Sequence, residues 1–167
     1  DYIRGLMSGN LGRSIRTQHD VVADLVRLFP ATLELTVFSL LIAVVLGIPM
    51  GVICAVYRDG PLDHLARVFS VSGLALPMFW SGLMLQLIFA LKFDLFPVGG
   101  RMGMLTQAPP AVTHLYLIDS LIAGKWSTFS EALHHIFLPA LVLSFPALAS
   151  IIRVNRADML EVLGRDF

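Results

Sequence analysis

The sequence predicts an all-α fold: a polytopic membrane bundle with three transmembrane helices, an interfacial segment before them and the start of a polar helix after them. Three observations carry that expectation. Hydrophobic residues make up 56% of the chain and charged residues 14%, against roughly 25% charged in an average soluble domain. Mean hydropathy is +0.78. The apolar residues are also gathered into blocks without a charge, between Glu34 and Arg58, between Arg67 and Lys92, and between Glu131 and Arg153. At about 1.5 Å of rise per residue, roughly 20 apolar residues cross a hydrocarbon core of about 30 Å, and each block has that length. Three buried helices of a water-soluble protein would need a larger polar shell than this chain supplies.

Residues 1–29 interleave Arg4, Arg13, Arg16 and Arg27 with aliphatic side chains at helical spacing, which suits a segment lying on the membrane surface. Pro30 suits the first turn of a helix, and Glu34 falls where a carboxylate favours the helix dipole. The first span is expected at 31–56. A polar turn with a Gly60-Pro61 break follows, then a second span at 66–91 interrupted by Gly73 and Pro77. The connection 92–134 is read as ordered against the membrane, with short helical pieces at Leu115 to Ala123 and Ser127 to His135, and Tyr116 and Trp126 suited to a headgroup interface. The third span is expected at 136–152, with Pro139 and Pro146 inside it. Residues 153–167 read as an amphipathic helix outside the membrane.

Basic residues on the two sides do not decide orientation: Arg4, Arg13, Arg16, Arg27, Lys92, Arg101 and Lys125 stand against Arg58, Arg67, Arg153, Arg156 and Arg165. Zero formal net charge gives no sign of a nucleic-acid partner. Cys54 is the single cysteine, so it reads as a packing residue and not as part of a disulfide or a zinc site. Asp1 to Asn10 is polar and lacks the leader of a secretory signal, and a start at Asp suggests that the natural N-terminus lies upstream.

No phosphate-binding loop is present, so the chain is not expected to hydrolyse ATP or to act as an enzyme. His134 and His135 are adjacent and point about 100° apart on a helix, which favours polar interface residues over a metal pair. Glu34 is a helix-dipole residue ahead of a transport carboxylate. Ala43, Gly47, Gly51 and Ala55 form a ladder of small residues that lets another helix come close. Ser72, Gly73, Pro77 and Ser81 surround a bend that reads equally as a candidate pathway lining or as a packing kink.

Taken together and in order, Gly9 to Ser14, Pro30 to Leu35, Gly47 to Val52, Phe96 to Arg101, Leu138 to Leu143 and Arg156 to Phe167 resemble the dipeptide and oligopeptide permease subunits of bacterial ABC importers. The resemblance implies a multi-pass protein of the bacterial inner membrane with spans two to four of six. It implies a periplasmic 1–29 and 92–134, and a cytoplasmic C-terminus. Arg156, Asp158, Glu161, Gly164 and Arg165 would then lead towards an ATPase-coupling helix, which together with the first span and the last two spans would lie outside this chain. The implied partners are a second permease subunit, two ATPase subunits, a periplasmic or lipid-anchored substrate-binding protein and the lipid bilayer. No cofactor belongs to this chain, ATP being bound by the ATPases. Cargo is open among dipeptides, oligopeptides, nickel and glutathione. The competing readings are a secondary transporter or channel subunit not driven by ATP, and a membrane enzyme; the first would use a broken helix and the second converging His, Asp or Glu.

Overall fold

The computed structural model describes residues 11–103 and 106–164, with Leu74 described by its backbone alone. The described residues form helices α1 (Val21–Val56), α2 (Pro61–Ala75), α3 (Met78–Leu85), a π-helical segment (Gln86–Lys92), α4 (Tyr116–Ile122) and α5 (Trp126–Leu163). Apart from one isolated bridge between Arg13 and Asp20, no β pairing occurs among them. Both α1 and α5 are long and apolar enough to cross a membrane, and residues 61–73 and 78–92, bent by 110° at the break between them, reach that length and polarity only when taken together.

The first helix starts well before Pro30, which corrects the expectation that Pro30 stands in its first turn. Asp20 is the reason: its carboxylate accepts the Val22 N–H at 3.0 Å and caps the helix. Asp24 adds an acidic first turn. Pro30 then removes one backbone hydrogen bond from an established helix without ending it. At about 54 Å, α1 outruns the hydrocarbon core. Glu34 therefore sits about three turns inside the helix, too far from its N-terminus to feel the dipole, and that reading of Glu34 is overturned. The last helix is likewise continuous: Ser127 to His135 and the stretch after Arg153 are its two ends and not separate pieces. Gly124, at φ +64°, separates it from α4.

Packing follows from small residues. Gly47 faces Ile151 and Gly51 faces Asn155, so an advance along α1 matches an equal advance along α5 and the two helices run parallel. The middle segment runs the other way. Asp63 meets Arg156, Gly73 lies against Ala149, Gly82 against Val142, and the Phe96 ring stacks on Phe137. Two parallel helices are thus joined by an antiparallel segment. The core between them is built of Ala43, Cys54, Ala66, Leu148 and Ile152. Outward-facing Val37, Leu41, Val45 and Ile48 are about half exposed, a stripe that lipid satisfies. The chain has two ends in consequence: a hairpin end at residues 57–63 and a loop end at residues 93–117.

Candidate functional site

At the hairpin end, Asp63 in the first turn of α2 is fully buried. Its two oxygens accept the Arg156 Nε at 2.6 Å and Nη2 at 2.7 Å, a bidentate pairing with the guanidinium plane. The Arg67 Nη2, one turn along α2, donates to the same carboxylate at 2.6 Å and to Asp59 at 2.8 Å. The Asp59 amide completes the set at 3.1 Å, from a residue held at φ +59° in the turn. Arg58, whose Nε lies 3.4 Å from Asp59, brings the cluster to two acids and three arginines. Four donors on one buried carboxylate tie the hairpin, α2 and α5 together.

The small-residue ladder of α1 lies directly beyond this clasp. Ala43, Gly47, Gly51 and Ala55 are all buried. A Cβ added to Gly47 would stand 2.8 Å from Ile151 Cγ2, and one added to Gly51 would stand 2.8 Å from Asn155 Nδ2. The Asn155 side chain uses that closeness to donate to the Ile48 carbonyl at 2.8 Å. This end of α5 is thus gripped twice, by α1 through Asn155 and by α2 through Arg156. Asp158 and Glu161 are exposed on α5, Gly164 caps its end through the Leu160 carbonyl, and Arg165 lies outside the described residues.

The bend falls between Leu76 and Pro77. Ser72 and Pro77 are exposed; the Ser72 carbonyl accepts the Leu76 N–H at 3.0 Å, and the Ser81 hydroxyl reaches back to the Pro77 carbonyl at 3.4 Å. Beside the bend lies a cavity of about 850 Å³ between α3, α5 and residues 97–100. Met78, Phe79, Gly82 and Gln86 line it, with Leu138 and Val142 opposite. None of Ser72, Gly73, Pro77 and Ser81 lines this cavity; Met78 and Gly82, next to Pro77 and Ser81 in sequence, do so instead.

At the loop end, residues 93–103 form a strap fixed by side chains from three helices. His134 Nε2 lies 2.5 Å from the Leu95 carbonyl and His135 Nδ1 3.2 Å from that of Gly99, while the Gln86 amide donates to Val98. Glu131 accepts the Gly103 N–H at 2.8 Å. Glu34, only 8% exposed, accepts from Arg101 at 2.7 Å and from the Leu117 amide at 2.6 Å. The Arg101 guanidinium lies over the Tyr116 ring at 3.6 Å. A smaller cavity of about 200 Å³ separates α1 from α5 here, lined by Glu34, Arg101, Tyr116 and His135 among others. The histidines of the sequence reading hold backbone, and Glu34 is the anchor of the strap.

Asp119 of α4 orders the loop in front of the strap. Its buried carboxylate accepts the Thr113 N–H and hydroxyl at 2.8 and 2.7 Å, the His114 N–H at 2.9 Å and the Val112 N–H at 3.3 Å. Burial alone would raise its pKa, but these donors more than offset burial and hold it below the usual carboxylate range. A depressed folded pKa places the stabilisation above the unfolded value, about 3.9, and removes it as pH falls through the folded one. Asp119→Ala should cost about 1–3 kcal/mol locally, seen as faster hydrogen exchange at the amides of Thr113 and His114. Unchanged exchange would contradict this role.

Residues 47–167 match the family described as binding-protein-dependent transport system inner membrane component. The probable D,D-dipeptide transport system permease protein DdpB of Escherichia coli K12 is 42% identical over 166 residues, covering 99% of this chain and 49% of its own length. The di/tripeptide transport system permease protein DppB of Pseudomonas aeruginosa UCBPP-PA14 is 40% identical over 167 residues, covering 100% of this chain and 49% of its own. The putrescine export system permease protein SapB of Escherichia coli K12 is 30% identical, covering 99% and 52%. The chain spans about half the length of the relatives it matches.

Proposed function

We propose, starting from the fact that this chain belongs to the family of inner membrane components of binding-protein-dependent transport systems, that it is part of a permease subunit that imports dipeptides or oligopeptides. The observation that carries the substrate class is the identity of 40 to 42% to permeases named for dipeptides and tripeptides, sustained over the whole chain. In this reading the chain builds half of a translocation pathway against a second permease. Two ATPase subunits bind ATP and drive the cycle, and a binding protein outside the membrane delivers cargo. No chemistry is asked of this chain itself.

The geometry suits alternating access. Parallel α1 and α5 pack closely along the glycine ladder, where Ile151 and Asn155 side chains rest on the backbone of Gly47 and Gly51, which makes them one rigid pair. The bent middle segment leans on α5 and borders the cavity of about 850 Å³. Ion pairs close the two ends: Glu34 with Arg101 at the loop end, which we place in the periplasm, and Asp63 with Arg156 at the hairpin end, which we place in the cytoplasm. A carrier not driven by ATP is the competing reading, and the broken middle helix is the feature it would use. The two separate in cells. Deleting the gene that encodes this chain should abolish uptake of a labelled dipeptide, and restoring it beside partner ATPases unable to hydrolyse ATP should leave uptake abolished. Uptake that survives inactive ATPases would favour the carrier.

A further inference from the structure

We infer that Asp63 is a positioning residue for transport: with Arg156 it passes displacement of the α5 end into α2 and so to the cavity wall at the bend. The inference rests on the permease reading above and deepens it. Asp63 takes donors from three parts of the chain, the Asp59 amide in the turn, Arg67 on α2 and Arg156 on α5. The link to α5 is directional. Because Nε and Nη2 each meet a different oxygen at 2.6 and 2.7 Å, α5 cannot rotate or slide by a turn against α2 while both bonds persist.

Stability alone is a weak reason for such a pair, since well-packed apolar residues of similar volume often replace a buried ion pair at no loss. Fixing register is the better-attested use. The surroundings fit that use. Beyond Arg156, α5 runs on with Ala157, Asp158, Glu161 and Val162 exposed and Met159 and Leu160 half-buried, and Asn155 and Arg156 bond the near end of this stretch to α1 and α2. Asn155 holds α1, which α5 already packs along its length. Arg156 holds α2, whose far end is the bend at Leu76 and Pro77, and past it Met78, Phe79 and Gly82 form the cavity wall. An ion pair placed at that end fixes the register, against shear, of two helices that also pack through Ala66, Gly73 and the Phe69–Phe145 ring contact.

The test uses the complete transporter with its partner permease, ATPases and binding protein in proteoliposomes, carrying Asp63→Asn, Arg156→Lys or both. Three quantities are read: assembled complex recovered, basal ATP hydrolysis, and peptide moved per ATP. Each single variant should assemble and keep basal hydrolysis, and peptide moved per ATP should fall about tenfold, within the usual range of coupling between sites. The double variant should be no worse than either single one, because both remove the same link. A parallel fall of assembly, hydrolysis and transport would reduce the pair to a structural support and overturn the inference, as would peptide per ATP that does not change. Failure of the unsubstituted complex to couple uptake to ATP would instead overturn the permease reading on which the inference stands.

Discussion

Replacing Gly47 by leucine is expected to prevent the subunit from reaching a stable fold. Even a Cβ at this position would stand 2.8 Å from Ile151 Cγ2 and 3.0 Å from Ile151 Cβ, and 3.3 Å from Leu148 Cδ1. Overpacking commonly costs about 1–3 kcal/mol, and leucine adds three further carbons in a seam where the helix axes have no room to part without losing the buried core beside it. The loss should exceed that range and appear as loss of the monodisperse peak when the full-length subunit is extracted in detergent and heated. Gly47→Ala should be milder, and Ile151→Ala should partly rescue it by removing the atom in the way. Gly51→Ala should behave differently, because the atom displaced is Asn155 Nδ2, whose bond to the Ile48 carbonyl would be lost along with the fit. Wild-type thermal stability for Gly47→Leu would contradict the close packing of α1 on α5.

Cutting the loop-end pair should have the next largest effect. Arg101→Met leaves the Glu34 carboxylate, 8% exposed, with the Leu117 amide as its remaining donor among those described here. Breaking a buried pair from one side costs about 3–5 kcal/mol; the Arg101 side chain is 32% exposed, which places this pair at or below the low end of that range. The strap 93–103 should loosen with it, through Gly100 and the backbone near His114, whose carbonyl Arg101 also holds at 3.2 Å. The combined Glu34→Gln and Arg101→Met variant should be less damaged than the sum of the two single variants, since no charge is left stranded. A thermal-stability cycle over the four proteins checks this, and strict additivity would show that the two side chains act independently.

The apolar blocks are legible in the sequence because the bilayer imposes a length and a polarity that composition cannot disguise: the charge-free stretches after Glu34, after Arg67 and after Glu131 fall on α1, on the bent middle segment and on α5, of which α1 and α5 are each long enough to cross a membrane alone. Helix ends were less legible. Pro30 drew the start of α1 because proline is common in a first turn, whereas the capping group is Asp20, with Asp24 behind it; an Asp followed at four residues by a second acid was the available signal. Nothing in Gln86 to Lys92 marks a π-helical segment, which depends on how the middle crossing fits against α5 and the strap. The small-residue ladder was readable as spacing, but its partner was not, since any apolar helix can fill a glycine groove.

Pairs distant in sequence were the least legible part of the site. The resemblance marks Arg156 as leading towards an ATPase-coupling helix, while nothing in the polar turn around Gly60-Pro61 marks Asp63 as its partner. Their meeting could have been anticipated only from topology: two crossings between them, an even number, put the turn before the second span and the helix after the third on the same side of the membrane. Glu34 was noticed for its position and misread for its role, because the dipole reading assumed a helix start that Asp20 places elsewhere. The histidine pair, unremarkable as metal ligands, proved to be two anchors of the strap, at Leu95 and Gly99.

The measurement that most directly tests the central claim is ATP hydrolysis by the complete complex in proteoliposomes, with and without peptide-loaded binding protein on the side of the loop end. The account expects hydrolysis to rise when the loaded binding protein is added, to rise less with the empty one, and to be matched by peptide entering from that side. Hydrolysis indifferent to the binding protein, or uptake that proceeds without ATP, would contradict it.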